Sequence, residues 1–275
     1  MIAISPFRAV LLMAIALWFL PPGEALAKDP PEAKGVAMAA QKYPDWKRRV
    51  EALRVRWTYS WTADGPEDVP AGVEFVPMIW GDRGNPGATC ERLAALQKAG
   101  SHKSLLGFNE PDGKDQADMT VETALKMWPL LEKTRLRLGS PATVHADNAW
   151  MTEFMKGAEA RSLRVDFICV HWYGGPSAPS LVRHLEKVHD LYDRPIWITE
   201  FAVADWQAKS REQNRHSPES VEAFLKEALK ELKRLKYVER FAWFAADPDS
   251  GPLGPSALFD AKGELTAVGE LYAKF

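Results

Sequence analysis

Cysteine is scarce in this chain, and its two examples, Cys90 and Cys169, sit in unlike surroundings. That scarcity excludes a small disulfide-stapled scaffold. Cys169 lies inside a strand-like apolar run and Cys90 near the start of a helix-like one, which favours two separate buried thiols over a bridge. Neither has the His or Asp neighbours that a thiolate nucleophile needs. A dominant charge sign is also missing. The formal net charge of −2 leaves no basic field for nucleic acid and no acidic solvating tail. No G-x-G-x-x-G turn follows the first apolar run, which counts against a dinucleotide-binding doubly wound sheet. No G-x-S-x-G elbow supports a Ser-His-Asp hydrolase. A metal site of His171, Glu110 and Asp112 is conceivable, but no H-x-x-x-H spacing supports it, and no cofactor is implied.

Long apolar runs are absent, with one short exception. Ala9 to Leu20 is uncharged, follows Arg8, and is broken by Pro21, Pro22 and Gly23. Ala25-Leu26-Ala27 then offers a small-x-small cleavage site. Residues 1–27 therefore read as a signal peptide, with a mature chain starting near Lys28 and secreted or periplasmic. The competing reading is an uncleaved anchor, for which the run is short. No stable membrane insertion is expected after cleavage, and a monomer is expected.

What the chain does have is apolar residues at 46% and eleven tryptophans, enough for a large core and for flat aromatic platforms. Eight short apolar runs recur: 35–38, 55–61, 74–80, 104–108, 136–140, 165–173, 195–201 and 238–245. Segments with helical spacing separate most of them. Leu93, Leu96 and Gln97 lie on one. Leu125, Trp128, Leu131 and Leu136 trace another, and Val221, Phe224, Leu225, Ala228, Leu229 and Leu232 form the clearest stripe. The link from Trp61 to Glu74 reads as loop. Alternating strands and helices argue for parallel βαβ units, and eight of them in one domain over 28–275 predict a closed (β/α)8 barrel.

Such a barrel carries its chemistry at the C-terminal ends of its strands. The runs end in Tyr59-Ser-Trp61, Trp80, Asn109-Glu110-Pro-Asp112, Ser140-Pro141, His171-Trp172-Tyr173, Thr199-Glu200 and Trp243-Phe244. Two carboxylates, a histidine and several aromatic rings thus meet at one mouth. Paired carboxylates across a cleft are what glycoside hydrolysis needs, and indole rings stack on the apolar faces of pyranoses. A lone strand-end Glu is more often a cap or an ion-pair partner. Glu110 is set apart by its Asn and Pro neighbours, and Glu200 by an apolar run where an unpaired charge is costly. His171 alone fits a satisfied core histidine equally well. Trp57, Trp61, Trp80, Trp172, Trp206 and Trp243 are the platform candidates, with Tyr59 and Tyr173 beside them.

Gly107-Phe-Asn-Glu-Pro-Asp112, Gly139-Ser-Pro-Ala142, His171-Trp-Tyr173 and Trp197-Ile-Thr-Glu-Phe201 together resemble glycoside hydrolase family 128, over roughly residues 34–275. The resemblance extends to the clan A barrel glycosidases. It implies that Glu110, after the fourth strand, is the acid/base and Glu200, on the seventh, the nucleophile of a retaining enzyme. It further implies that Asn109 bonds the sugar 2-hydroxyl, that His171 and Tyr173 flank the nucleophile, and that the substrate is β-1,3-glucan cut internally. The chain is compact after its eighth strand, which leaves chain-length preference open. Two rivals stand beside this reading. One is a hydrolase of another β-glycan with different aromatic subsites. The other is a glucan-binding or cell-wall protein without catalysis, against which both retained carboxylates count.

Overall fold

The computed structural model describes residues 32–275; the expected signal peptide lies outside the described residues. Eight parallel strands follow one another: β1 (Lys34–Ala37), β2 (Trp57–Tyr59), β3 (Glu74–Phe75), β4 (Ser104–Leu105), β5 (Arg137–Leu138), β6 (Ile168–Gly174), β7 (Ile196–Val203) and β8 (Val238–Phe244). Six pair in the order β3-β2-β1-β8-β7-β6, and β4 pairs with β5. Single bridges Met78–Leu106 and Gly139–Phe167 join the two sets on either side. The ring therefore closes, and the chain folds as a barrel of the TIM type.

Among the described residues seven α-helices wrap it: α1 (Trp46–Leu53), α2 (Pro86–Lys98), α3 (Val121–Glu132), α4 (Ala149–Ala160), α5 (Ala178–Tyr192), α6 (Pro218–Leu232) and α7 (Ala267–Lys274). Among the described residues no helix connects β2 to β3, as the Gly and Pro of that link foretell. Starts are written into the sequence. Asn85, Thr120, Asn148, Ser177, Ser217 and Thr266 each accept a hydrogen bond from the backbone N–H three residues on, satisfying a donor the helix leaves free. The predicted α6 stripe, Val221 to Leu232, is buried throughout. Leu136, read with the α3 stripe, lies beyond that helix's end, in the approach to β5.

Two apolar layers result. Inside the barrel are Ala37, Trp57, Tyr59, Val76, Met78, Leu106, Phe167, Cys169, Trp197 and Ala242. Between strands and helices lies the larger layer, including Val36, Ile168, Val170, Ile198, Phe201, Phe241 and Trp243. Alternate residues of each strand thus serve alternate layers, the period-2 rule for strands buried on both faces. Both cysteines are free and buried. Burial raises the Cys90 thiol to about 11 and the Cys169 thiol further still, so both stay protonated and unreactive.

Candidate active site

The inward residues at the C-terminal ends of the strands build the site. On β6 the alternation runs cleanly, Phe167 and Cys169 inward and Ile168 and Val170 outward. It carries His171 and Tyr173 into the mouth and Trp172 away from it. On β7 the same alternation would fail. Trp197 faces in, so Thr199 would face in next and Glu200 would point into the helix layer. A bulge prevents this. Val170 pairs with Ile198 but His171 pairs with Glu200, and on the other side Ile198 pairs with Phe241 while Phe201 pairs with Trp243. Thr199 is the surplus residue against both neighbours, and its insertion resets the parity so that Glu200 faces inward and Phe201 outward.

Three donors converge on Glu200. Tyr59 Oη and Trp61 Nε1 each donate to Oε1 at 2.8 Å, and Tyr173 Oη donates to Oε2. An indole N–H can only donate, so this cage matches a carboxylate, which only accepts. Burial raises both phenols well above their usual value, and the Glu200 charge adds to the effect. Both therefore remain hydrogen-bond donors at any working pH.

His171 stands between the two acids. Its Nδ1 is 2.9 Å from Glu110 Oε1, and its Nε2 is 3.3 Å from Glu200 Oε1, close enough for charge attraction but not aligned as a hydrogen bond. Burial pulls its pKa down, but the Glu200 and Glu110 carboxylates outweigh that, so the net shift is upward. One oxygen of each acid and a ring nitrogen of His171 all lie within 4.8 Å of one another. On distance alone these three could hold a cation. Yet Glu200 Oε1 is already taken by Tyr59 and Trp61, and His171 Nδ1 by Glu110, so a cation would have to displace the donors that define the cage.

Glu110 holds its position at a backbone cost. Its φ is +41°, in the left-handed region that favours glycine, as is that of Trp61 at +58°. Its N–H donates to Ala142 O at 2.7 Å. Asp112 then ties the loop to the one after β5, accepting from Val144 N at 3.1 Å and Asn148 Nδ2 at 2.7 Å. Asn109 is buried, and its Nδ2 donates to Gln116 Oε1 at 3.2 Å while its Oδ1 has no partner.

A cavity of about 660 Å³ opens above the acids, walled by Trp61, Trp80, Tyr173, Trp206, Phe244 and Leu253 and floored by Asn109, Glu110 and Glu200. Tyr59 lies just beneath it. Three of the platform candidates are elsewhere. Trp57 is fully buried one layer below Tyr59, stacked on it and tilted against Trp197. Trp172 stacks on Phe224 of α6. Trp243, also fully buried, packs edge-on against Phe201 and donates to Ser256 O. None of the three can carry a sugar. Phe244, one residue past Trp243, takes the inward place instead, and Gln116, Lys42 and Lys114 also line the cavity without any periodic signal in the sequence.

The sequence pattern of the family described as glycosyl hydrolase catalytic core matches residues 35–272, nearly all of the described chain. The chain belongs to that family. Within it, solved structures point to glycoside hydrolase family 128. A subgroup I endo-β-1,3-glucanase from Amycolatopsis mediterranei, in complex with laminaritriose, is 36% identical with a TM-score of 0.76, covering 88% of this chain and 99% of that one. A subgroup II endo-β-1,3-glucanase from Sorangium cellulosum is 28% identical with a TM-score of 0.71, covering 88% and 97%. The alkali-sensitive linkage protein 1 of Schizosaccharomyces pombe is 32% identical over 178 residues, 62% of this chain. The match spans about a third of that relative's length, 32%.

Proposed function

We propose that this chain is a retaining endo-β-1,3-glucanase, with Glu200 as nucleophile and Glu110 as acid/base. The observation that carries the mechanism is the closeness of the two acids, whose nearest oxygens lie within 4.8 Å. Retaining glycosidases hold their carboxyls about 5–5.5 Å apart, whereas inverting ones leave roughly 6.5–9.5 Å for a water. The substrate is supported by the glucanases of the same family, which align over nearly their whole length.

In the first step a Glu200 oxygen attacks the anomeric carbon. The glycosidic bond breaks as Glu110 passes its proton to the departing oxygen. In the second, Glu110 takes a proton from water, the water oxygen attacks the same carbon, and the ester to Glu200 is cleaved. The Tyr59, Trp61 and Tyr173 donors fix the orientation of Glu200 before either step, the preorganisation that lowers such barriers. His171 lies against both acids and offsets the charge they would otherwise share. The orphaned Asn109 Oδ1 accepts the sugar 2-hydroxyl, and the half-buried Trp61 and Trp80 with the exposed Trp206 serve as stacking faces. The reaction needs no cofactor.

Residues 28–275 form one catalytic domain in this reading, exported after removal of residues 1–27 and acting on glucan as a monomer. Among the described residues no helix is long and apolar enough to cross a membrane. N-terminal sequencing from the native host checks the export: a retained Met1 rejects cleavage. Reducing-end release from β-1,3-glucan, with the anomer followed by NMR, tests the rest. The β-anomer appearing first is the expected result, and the α-anomer appearing first overturns the retaining assignment.

A further inference from the structure

The two acids are held in opposite ways. Glu200 is fixed by its side chain, through the three donors already described. Among the described residues the Glu110 carboxylate makes one hydrogen bond, with His171 Nδ1. Its place therefore depends on its backbone. That backbone sits at φ +41°, a conformation that persists only where the surroundings hold it. The next residue, Pro111, has its own φ fixed by the ring, so little freedom separates Glu110 from Asp112. Asp112 is half-buried, and both of its oxygens accept from uncharged donors: Oδ1 from Val144 N at 3.1 Å and Oδ2 from Asn148 Nδ2 at 2.7 Å. The segment it grips is itself anchored. Asn148 Oδ1 accepts from Met151 N at 2.9 Å at the start of α4, Tyr192 Oη of α5 donates to Ala146 O at 2.8 Å, and Lys187 of α5 pairs with Asp147. Rigid contact thus runs from two helices, through Asp112, to the acid.

We propose that Asp112 is a positioning residue for proton transfer, holding the Glu110 carboxylate where it reaches the glycosidic oxygen. This role rests on the reading of Glu110 as acid/base. Asp112 is not among the walls of the cavity, so it acts through Glu110 and touches no substrate. Its charge is the lesser influence. Burial lowers the His171 pKa, and of the carboxylates that raise it Glu200 comes first and Asp112 last. Geometry is exacting here, because a misplacement of about 1 Å can cost on the order of 10²-fold in rate. The role is confined to steps that move a proton, namely expulsion of a poor leaving group and activation of water.

Leaving-group dependence tests it. kcat/KM is measured on β-1,3-glucan, whose departing sugar needs a proton, and on 2,4-dinitrophenyl β-laminaribioside, whose departing phenolate does not. Asp112→Asn loses the bond to Asn148 and should lower the first by about ten- to hundredfold and the second by less than about twofold. A distorted cleft would lower both alike, and a melting temperature for each variant detects misfolding. The double variant Asp112→Asn with Asn148→Asp exchanges the two side chains. The bond between the loops then forms with donor and acceptor reversed, and the cap on Met151 N is kept. Glucan activity should return to within about threefold of wild type, the coupling that a double-mutant cycle reads. No recovery in a folded double variant overturns positioning by this bond, as does an equal loss on both substrates in Asp112→Asn. Should the double variant not fold, Asp112→Ala removes both bonds and must widen the gap between the substrates beyond that of Asp112→Asn; an equal or smaller gap overturns the role. Glu110→Ala is the control. If it shows no leaving-group dependence, the acid/base reading fails and this role with it. If it shows the dependence and Asp112→Asn does not, only the role of Asp112 fails.

Discussion

The two ends of this barrel are made of the same strands and obey different rules. At the base, residues with positive φ sit where helices stop: Arg54 after α1 and Asp193 after α5 are left-handed caps, an ordinary way to turn a chain. At the mouth, Trp61 and Glu110 adopt positive φ with no helix to end. The base carries two ion pairs, Arg240 on Glu74 at 2.7 Å and Arg137 on Glu239 at 3.0 Å, with Arg240 also lying over the Trp197 ring. The mouth crowds two acids onto one histidine and leaves Asn109 Oδ1 without a partner. Order at the base is spent on packing, while the mouth accepts backbone strain and crowded acids because a substrate completes it.

Substitutions can sharpen that contrast. The largest effect belongs to the acids. Glu200→Ala should lower glucan turnover on the order of 10⁴-fold or more, with azide replacing the carboxylate to give an α-glycosyl azide. Glu110→Ala should cost about 10²–10⁴-fold on glucan but spare the first step on an activated aryl glycoside, with azide giving the β-product. NMR of the azide adducts reads both, and matching stereochemistry from the two variants would contradict their separate roles. Neither should lower the melting temperature as a base substitution does.

Trp57→Ala is that base substitution. It empties a fully buried site in the barrel interior and should cost about 3–5 kcal/mol of stability by denaturant titration; a loss under about 1 kcal/mol would show that the base tolerates voids. Trp206→Ala at the rim, where the indole is 63% exposed, should change stability by less than about 0.5 kcal/mol. It should weaken oligosaccharide binding by about 1 kcal/mol, the scale of an aromatic contact. Calorimetry with an inactive variant checks it, and full affinity would leave Trp206 without a role in the cleft.

The smallest effect concerns Lys34, buried at the base with Nζ 3.5 Å from Ala273 O and over the Tyr272 ring. Burial, helped by Arg54, lowers its pKa to about 7. The unfolded chain then binds a proton that the folded chain lacks between about pH 7 and the free value near ~10.4, so this group makes stability rise with pH across that window. Lys34→Met should remove that slope. Unfolding midpoints of both proteins at about pH 7 and pH 9 measure it, and an equal slope in the two would place the charged form comfortably in the fold.

How much of this the sequence carries depends on the layer. All eight strands were legible, because apolar runs separated by amphipathic segments and capped helix starts leave little choice. Both acids were legible as ionisable groups at the ends of apolar strands. Depth and facing were harder. Trp57 shares its parity with Tyr59 and Trp61, and nothing local tells that it lies a layer too low. Trp172 falls between His171 and Tyr173, so strict alternation does assign it outward. Trp243 and Phe244 cannot be separated this way, because Phe241, Ala242, Trp243 and Phe244 are all apolar and both faces of the strand are buried. Gln116 and Lys114 come from loops and Lys42 ends a single 3-10 turn, Ala40–Lys42, all too short to show a period.

The surplus residue on β7 has a further consequence for reading relatives of this chain. Glu200 faces the cleft because of a count, three residues from Trp197 where the strand's own rhythm allows two or four. Deleting Thr199 would change no functional group and would set Glu200 two residues from Trp197, where regular pairing already points the carboxylate inward; it is the bulge that reconciles the odd count with an inward-facing acid. A homologue one residue shorter here could thus keep its acid in the cleft without any bulge, so a missing letter at this point is no record of lost activity. In this fold the bulge between the interior tryptophan and the glutamate is as much a part of the proposed catalytic apparatus as the glutamate itself.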